Sequence, residues 1–381
     1  MDSKLKRFDM DYDVVIVGSG PAGCAAAFDL CSKKRNVLLM DRYEFPRNKA
    51  CAGGLTMKTL KALRYSVEPV IKRVCNDIVI GNGMSHKVMF KSKHPICAMT
   101  IRSQFDAFCL KKTLEMGASF HVVKEINSIN DTDTCVEVDT DIGIIRSKYL
   151  VGADGVNSTI RKLTREFNGI RKGFAIEGRI PIDRQQLPVV ELDFDIVPFG
   201  YGWIFPKDNH INVGLYSFSS EKLTKHKLTQ YAFNKLGYAD MDHVRGYPIG
   251  MGGWNYTPNR KRIALAGDAA GLADPLLGEG LFNAIMSGQL AAASIEQALS
   301  EKSGLGPIYN NLLTHMKKDL LVCYRSAGWF YKYRRVGHMV MAFVPVKYAL
   351  IKGFALGWTM SKTIKNFYRL PFQSVKTPTI Y

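Results

Sequence analysis

Val14 to Val17 is a continuous apolar run, and a buried strand over Asp13–Val17 is predicted from it. Apolar residues then recur at helical spacing from Pro21 to Ser32, and Asn36–Asp41 returns to a strand-like run. The three segments predict a β-α-β unit. From Val74 to Met99 short alternating runs are broken by Gly81-Asn82-Gly83, the pattern of a hairpin. Ser103–Met116 reads as a helix, and Ser119–Val151 as three short strands with a turn at Asn130–Thr134. Lys172–Tyr216 is strand-rich, with β-branched and aromatic residues separated by Pro and Gly. Ile263–Ala266 is a further buried strand, Leu281–Leu299 an alanine-rich helix, and the chain past Pro307 is mostly helical. No internal repeat is visible.

Together these elements predict an α/β protein: a Rossmann-like domain interleaved with an antiparallel β-sheet domain, followed by a helical C-terminal region. The expected division is 1–75, 100–170 and 260–300 for the nucleotide-binding domain. Residues 76–99 and 171–259 form the β-rich substrate domain, and 301–381 the basic C-terminal region. The length of 381 residues and 46% apolar content suffice for such cores. The charge alters the picture. The net is +18, and the stretch from Lys302 to Tyr381 carries 13 Lys/Arg against the single acid Asp319. Lys332, Arg334, Arg335, Lys347, Lys352, Lys362, Lys365 and Arg369 there interleave with Trp329, Phe330, Tyr331, Phe343, Phe354, Trp358 and Phe367. That mixture suits either an anionic membrane surface or a solvated basic face on a helical cap. Nucleic acid is not expected, because no binding module is present. The eight cysteines are scattered, with no C-x-x-C pair, so no metal site is read and a reducing compartment is expected. No signal peptide or uninterrupted apolar span of membrane length is seen. The expectation is a cytoplasmic protein, with the membrane contact peripheral and on the inner face.

Gly18-Ser19-Gly20-Pro21-Ala22-Gly23 follows the first strand and opens the first helix. In a dinucleotide fingerprint the first glycine permits the tight turn and the second lets the backbone approach a pyrophosphate. The third allows close helix–strand packing, and free N–H groups at the helix start hold the anion. Asp41, followed by Arg42, ends the second strand roughly 20 residues on, where an acid accepts hydrogen bonds from ribose hydroxyls. A bare glycine turn would lack the strand, helix, second strand and acid that are all in place here.

Two further stretches specify the dinucleotide by resemblance. Gly152-Ala153-Asp154-Gly155, with Ser158 and Arg161 behind it, resembles the second flavin motif of the family containing aromatic-ring hydroxylases and geranylgeranyl reductases. Arg260–Ala292 resembles its third motif. The resemblance implies FAD, with Gly267 and Asp268 at the ribityl chain and Gly278, Glu279, Gly280 and Leu281 opening a helix toward the flavin. A helix N-terminus there would stabilise the negative charge of the reduced ring. Arg102 stands where the family places an arginine near the FAD phosphates. Only one fingerprint is present, so the electron donor is either a transiently bound NAD(P)H or a protein.

Pro46-Arg47-Asn48-Lys49-Ala50-Cys51-Ala52-Gly53-Gly54 resembles the P-x-x-K-x-C-G-G-G loop of geranylgeranyl reductases, with Ala52 replacing the first glycine. The family's loop runs along the flavin, which implies contact from Cys51, Ala52, Gly53 and Gly54. Cys51 is either a residue that tunes or covers the ring, and a candidate proton donor, or a buried small residue. Tyr201-Gly202-Trp203-Ile204-Phe205-Pro206 is similar to the family's Y-x-W-x-F-P signature. It implies that Tyr201, Trp203, Phe205 and Pro206 line an apolar substrate channel, although alternating aromatics also suit a core strand. The implied reaction is reduction of C=C bonds in an isoprenoid chain, with an isoprenoid or lipid substrate. The alternatives are an FAD-dependent monooxygenase of an aromatic substrate and a non-catalytic flavin-binding sensor or membrane scaffold. An electron-transfer flavoprotein acting on quinone is disfavoured, because only Cys323 stands where that relative carries four cysteines.

Overall fold

The computed structural model describes residues 11–83, 86–372 and 374–375. Residues 1–10 of the expected nucleotide-binding region and 376–381 of the basic tail lie outside them. Asp11–Val17 forms the centre of the first sheet. It pairs in parallel with Val37–Asp41 on one side and Gly143–Gly152 on the other. Ser119–Val122 extends the sheet beyond Val37–Asp41, and Ile263–Leu265 lies parallel to the end of Gly143–Gly152. These central strands are covered on both faces, which is why they read as unbroken apolar runs. Val136–Thr140 and Ile126–Asp131 continue the sheet as antiparallel strands.

Helix Pro21–Ser32 packs between Leu281–Glu301 and Arg102–Glu115. Its small residues Ala22, Gly23, Cys24, Ala25, Ala26 and Ala27 are all buried. The crossing with Leu281–Glu301 is close: a Cβ at Gly288 would stand 2.1 Å from the Ala22 carbonyl oxygen. An alanine-rich helix thus serves here as a spacer that lets two backbones meet.

The second sheet runs Asp242–Met251, Arg171–Pro181, His210–Ser217, Gly200–Pro206, Val190–Phe194, Ile78–Asn82 and His86–Phe90. It is antiparallel except where Val190–Phe194 meets Ile78–Asn82. Helix Lys225–Leu236 covers one face, where Ile204, Val213 and Leu215 pack with Leu228 and Tyr231. The other face looks toward the first sheet. A small third sheet of Gly54–Thr56, Cys97–Thr100 and Ile71–Cys75 bridges the two.

Several elements depart from the periodicity reading. Ser119–Val151 holds four strands rather than three, because Ser119–Val122 leaves its neighbours to pair with Val37–Asp41. The predicted hairpin pairs Ile78–Asn82 with His86–Phe90, but Cys97–Thr100 joins the bridging sheet. Past Pro307 the described residues are mostly helical, as expected, but they are not only a solvated basic face. Thr314–Lys332 buries Leu320, Cys323, Ala327 and Tyr331 along one face, and Tyr324 stacks on Trp254 at 4.4 Å. No single described helix is long and apolar enough to cross a membrane, and the pair Arg334–Ala342 and Val344–Leu356 is bent by 83°.

Candidate active site

A continuous cavity of about 700 Å³ runs from the fingerprint, past the Cys51 loop, to the inward face of the second sheet. At its first end Gly18 takes φ +102°, a conformation that favours glycine. A Cβ there would stand 2.3 Å from the Ala153 carbonyl oxygen, so this turn closes directly on the second flavin-like motif. Gly23 is a packing residue: its Cβ position falls 1.9 Å from the Gly18 carbonyl oxygen, and it does not line the cavity. Gly20 borders open space, and the nearest atom to its Cβ position is an Arg47 guanidinium nitrogen at 3.6 Å. Helix Pro21–Ser32 starts there with no side-chain cap, and Ala22 lines the cavity in its first turn.

Two arginines converge on one buried carboxylate beside that helix start. Arg102 donates to both Asp106 oxygens at 2.8 Å, and Arg47 lies 3.3 Å from Asp106 Oδ2. Burial alone would make Arg102 easier to deprotonate, but Asp106 and Cys51 hold it firmly charged. Two guanidiniums sharing one carboxylate leave one net positive charge facing the helix N-terminus, an arrangement suited to an anion. Arg47 stands in the quoted loop motif but is not distinguished there, because its approach to Gly20 is a tertiary contact.

Asp41 and Arg42 line the cavity beside the fingerprint. The Asp41 carboxylate already accepts the Ser19 N–H at 2.8 Å and the Tyr43 N–H at 3.1 Å, so it braces the loop as well as facing the cavity. Arg42 offers its carbonyl to Lys124 Nζ at 3.0 Å. Asp154 Oδ2 caps helix Thr159–Thr164 by accepting the Thr159 and Ile160 N–H groups at 2.6 and 3.2 Å. Its Oδ1 is buried without a hydrogen-bond partner, on a residue that lines the cavity.

Gly267, Asp268, Gly278, Glu279, Gly280 and Leu281 line the middle of the cavity. Helix Leu281–Glu301 begins there, also without a side-chain cap. Burial raises the Asp268 carboxyl, opposed by the charges of Lys49 and Arg102. Glu279 accepts from Thr56 Oγ1 at 2.7 Å and pairs with Lys58 at 2.7 Å. The preceding loop is held by three tyrosines from two other parts of the chain. Tyr216 donates to the Pro275 carbonyl at 3.0 Å, Tyr331 to Leu276 at 2.6 Å, and Tyr201 to Leu277.

The far wall is aromatic. Tyr201, Trp203 and Phe205 alternate along Gly200–Pro206 and all face the cavity, with ring centroids 6.1 and 6.4 Å apart. Pro206, expected with them, does not line it: two-residue periodicity turns it to the opposite face with Ile204. The Cys51 loop lies opposite. Gly53 and Gly54 are small for a reason inside the protein, since their Cβ positions fall 2.2 Å from the Thr100 carbonyl oxygen and 3.1 Å from the Phe205 ring. The Cys51 N–H donates to Glu177 Oε1 at 3.0 Å, and Cys51 Sγ accepts from the Gly53 N–H at 3.4 Å. Lys207 is buried behind the loop and donates to the Ala52 carbonyl at 2.6 Å; burial pushes it down to about 8. Glu177, Asn212 and Lys207 escape sequence reasoning because each belongs to a strand or strand end read only as strand-rich.

A family profile described as an FAD binding domain matches residues 11–182. An uncharacterized protein of Methanosarcina barkeri is 33% identical over 348 residues, spanning 88% of each chain. Digeranylgeranylglycerophospholipid reductase 1 of Methanococcoides burtonii is 29% identical over 329 residues, 76% of this chain and 77% of that one. The crystal structure of a geranylgeranyl bacteriochlorophyll reductase-like protein from Thermoplasma acidophilum superposes with a TM-score of 0.78 at 19% identity, over 94% of this chain and 99% of that one. A flavin-dependent brominase shares the fold at a TM-score of 0.73 and 16% identity, over 94% of this chain and 100% of that one. An open helix start beside two arginines, a second open helix start in mid-cavity and a matched FAD domain agree with one another and with these relatives. The chain belongs to the geranylgeranyl reductase family of FAD-dependent oxidoreductases.

Proposed function

We propose that this protein reduces C=C double bonds in a geranylgeranyl-type chain carried by a lipid. One observation carries the reading: a cavity continuous from the dinucleotide fingerprint to a wall of Tyr201, Trp203 and Phe205. An extended apolar ligand fits such a wall, and the relatives' names concern geranylgeranyl lipids. The residues fit FAD: open space at Gly20 beside Arg47, the unpartnered Asp154 Oδ1, and two uncapped helix starts on one cavity. Gly18, Gly20, Ala22, Arg47 and Arg102 would hold the pyrophosphate end. Asp41 and Arg42 would face the adenosine, and Asp154, Gly267 and Asp268 the ribityl chain. Gly278, Gly280, Leu281 and the Cys51–Gly54 loop would border the flavin, which when bound and reduced supplies hydride.

The chain's own residues do the rest. Tyr201 fixes the loop ahead of helix Leu281–Glu301 and presents its ring to the channel. Trp203, held by Asn212 Oδ1 at 2.7 Å, and Phe205 exclude water and align the isoprenoid. The electron donor is NAD(P)H or a redox protein. The lipid is reached at an anionic membrane. Met339, Phe343 and Val344 are 71%, 63% and 74% exposed at the bend between the C-terminal helices, flanked by Arg334, Arg335 and Lys347. Phe354, farther along the second of those helices, reaches the cavity.

The test uses FAD-loaded protein reduced by dithionite without oxygen, then given geranylgeranyl diphosphate or a digeranylgeranyl glycerophospholipid in micelles. Flavin reoxidation with product heavier by two hydrogens per bond is the expected result. Reduced flavin with unchanged lipid would reject it, and oxygen with aromatic substrates would then test the monooxygenase alternative.

A further inference from the structure

Saturating a C=C bond takes a hydride and a proton, and among the motif residues only Cys51 is a candidate for the proton. We infer that Glu177 is that donor, and that it is reprotonated through a polar recess behind the Cys51 loop. The inference rests on the isoprenoid reading given above.

Five acids line the cavity: Asp41, Asp154, Glu177, Asp268 and Glu279. Asp41 braces the fingerprint, Asp154 caps a helix, and Glu279 is bound by Lys58 and Thr56. Asp268 lies at the start of the long helix, 3.3 Å from the Cβ position of Gly280. Glu177 alone of the five stands on the sheet that carries the aromatic wall. Its Oε2 accepts from Asn212 Nδ2 at 3.2 Å, and Asn212 Oδ1 accepts from Trp203 Nε1 at 2.7 Å. Its Oε1 accepts the Cys51 N–H. The carboxyl is therefore fixed between the channel wall and the loop expected at the flavin. A donor needs this placement near the reacting bond before its acidity matters.

Glu177 also lines a second, smaller recess of about 20 Å³. That is room for about one water. Lys49, Arg102, Arg179, Lys207 and His210 are the charged or titratable neighbours around it, with Cys51. Arg245 is the residue opposite Glu177 on the adjacent strand. Burial lifts the Glu177 carboxyl above its ordinary range; the Cys51 and Asn212 hydrogen bonds and the Lys207 and Arg179 charges act against that lift. Burial takes His210 down to about 4 and Lys207 down to about 8. His210 is thus neutral at neutral pH, and it lines the recess as a half-buried residue.

The step balances simply. Hydride from the reduced cofactor forms one new C–H bond, and the Glu177 O–H breaks to form the other. The carboxylate left behind takes a proton from recess water, which is replenished from solvent. Neither Cys51 nor Tyr201 is consumed: the Cys51 thiol accepts from Gly53, and the Tyr201 hydroxyl, pushed upward by burial, donates to Leu277.

The deciding comparison is wild type against E177Q and E177D, all FAD-loaded. Infrared spectra near neutral pH should show a protonated-carboxyl band in wild type that is missing from E177Q. With geranylgeranyl diphosphate, E177Q should bind FAD and melt as wild type does, yet reoxidise at least ~100-fold more slowly, the scale of general-acid catalysis. E177D should recover part of that rate with an altered pH profile. Equal rates in wild type and E177Q, or a wild type without the band, would overturn the donor role. If E177Q loses FAD, the wild-type band together with partial rescue in E177D supports the inference, and an absent band overturns it. A wild type that has the band but leaves the lipid unsaturated would overturn the isoprenoid reading, and the donor role with it, while retaining a protonated Glu177.

Discussion

At the scale of single residues, the site depends on groups held in unfavourable surroundings. Asp274 is buried just before the tyrosine-held loop, and burial lifts it to about 6, with Lys58 opposing. In the unfolded chain it titrates near 4, so between those values the folded protein holds a proton that the unfolded chain has lost. Its contribution is therefore greatest below pH 4 and falls as pH rises through 6. Asp274→Asn should raise stability at pH 7 to 8 by on the order of 2–3 kcal/mol, and urea unfolding at pH 4 and 8 should show the gain only at the higher value. Gly18→Ala meets the Ala153 carbonyl at 2.3 Å in addition to an unfavourable φ. It should abolish FAD retention on gel filtration and lower the melting temperature. The fingerprint glycines and Asp41 were legible because their meaning lies within one β-α-β unit. Glu177 was not: its partner Cys51 is 126 residues away, and the intervening sequence holds no trace of the contact.

At the scale of elements, small residues and tyrosine hydroxyls set the geometry. Leu281–Glu301 crosses the first helix at Gly288, and a methyl group there would have to push the Ala22 backbone aside. Gly288→Ala should cost roughly 1–3 kcal/mol by overpacking, read as a lower urea midpoint with unchanged slope. Tyr331→Phe removes one of the three hydrogen bonds to the 275–277 loop, worth about 1 kcal/mol. Hydrogen exchange should quicken in residues 276–281, and FAD should bind more weakly although Tyr331 does not line the cavity. The main strands and helices were readable from period and length. The face of an element was read less well, as Pro206 shows. The motif groups it with three aromatics, whereas alternation along the strand separates it from them.

At the scale of the whole molecule, the site is assembled from stretches that are remote in sequence, and the basic C-terminal region takes part in it. Charge and aromatic content drew attention to that region, but its packing through Leu320, Cys323, Ala327 and Tyr331 became evident only in three dimensions. The bend at Phe343 and Val344 should insert into bilayers. Phe343→Ser with Val344→Ser should reduce sedimentation with anionic liposomes at least ~10-fold, from the apolar area lost. High salt should release the wild type, and equal binding to neutral liposomes regardless of salt would contradict an electrostatic rim. The tyrosine clasp on the 275–277 loop has a consequence for biosynthesis. A nascent chain that has emerged only as far as the long helix already carries every flavin motif, but it lacks Tyr331 and so one of the three clasps. A chain without the docked later helix should therefore hold flavin more weakly, so cofactor retention reports on the packing of Thr314–Lys332 as well as on the flavin motifs.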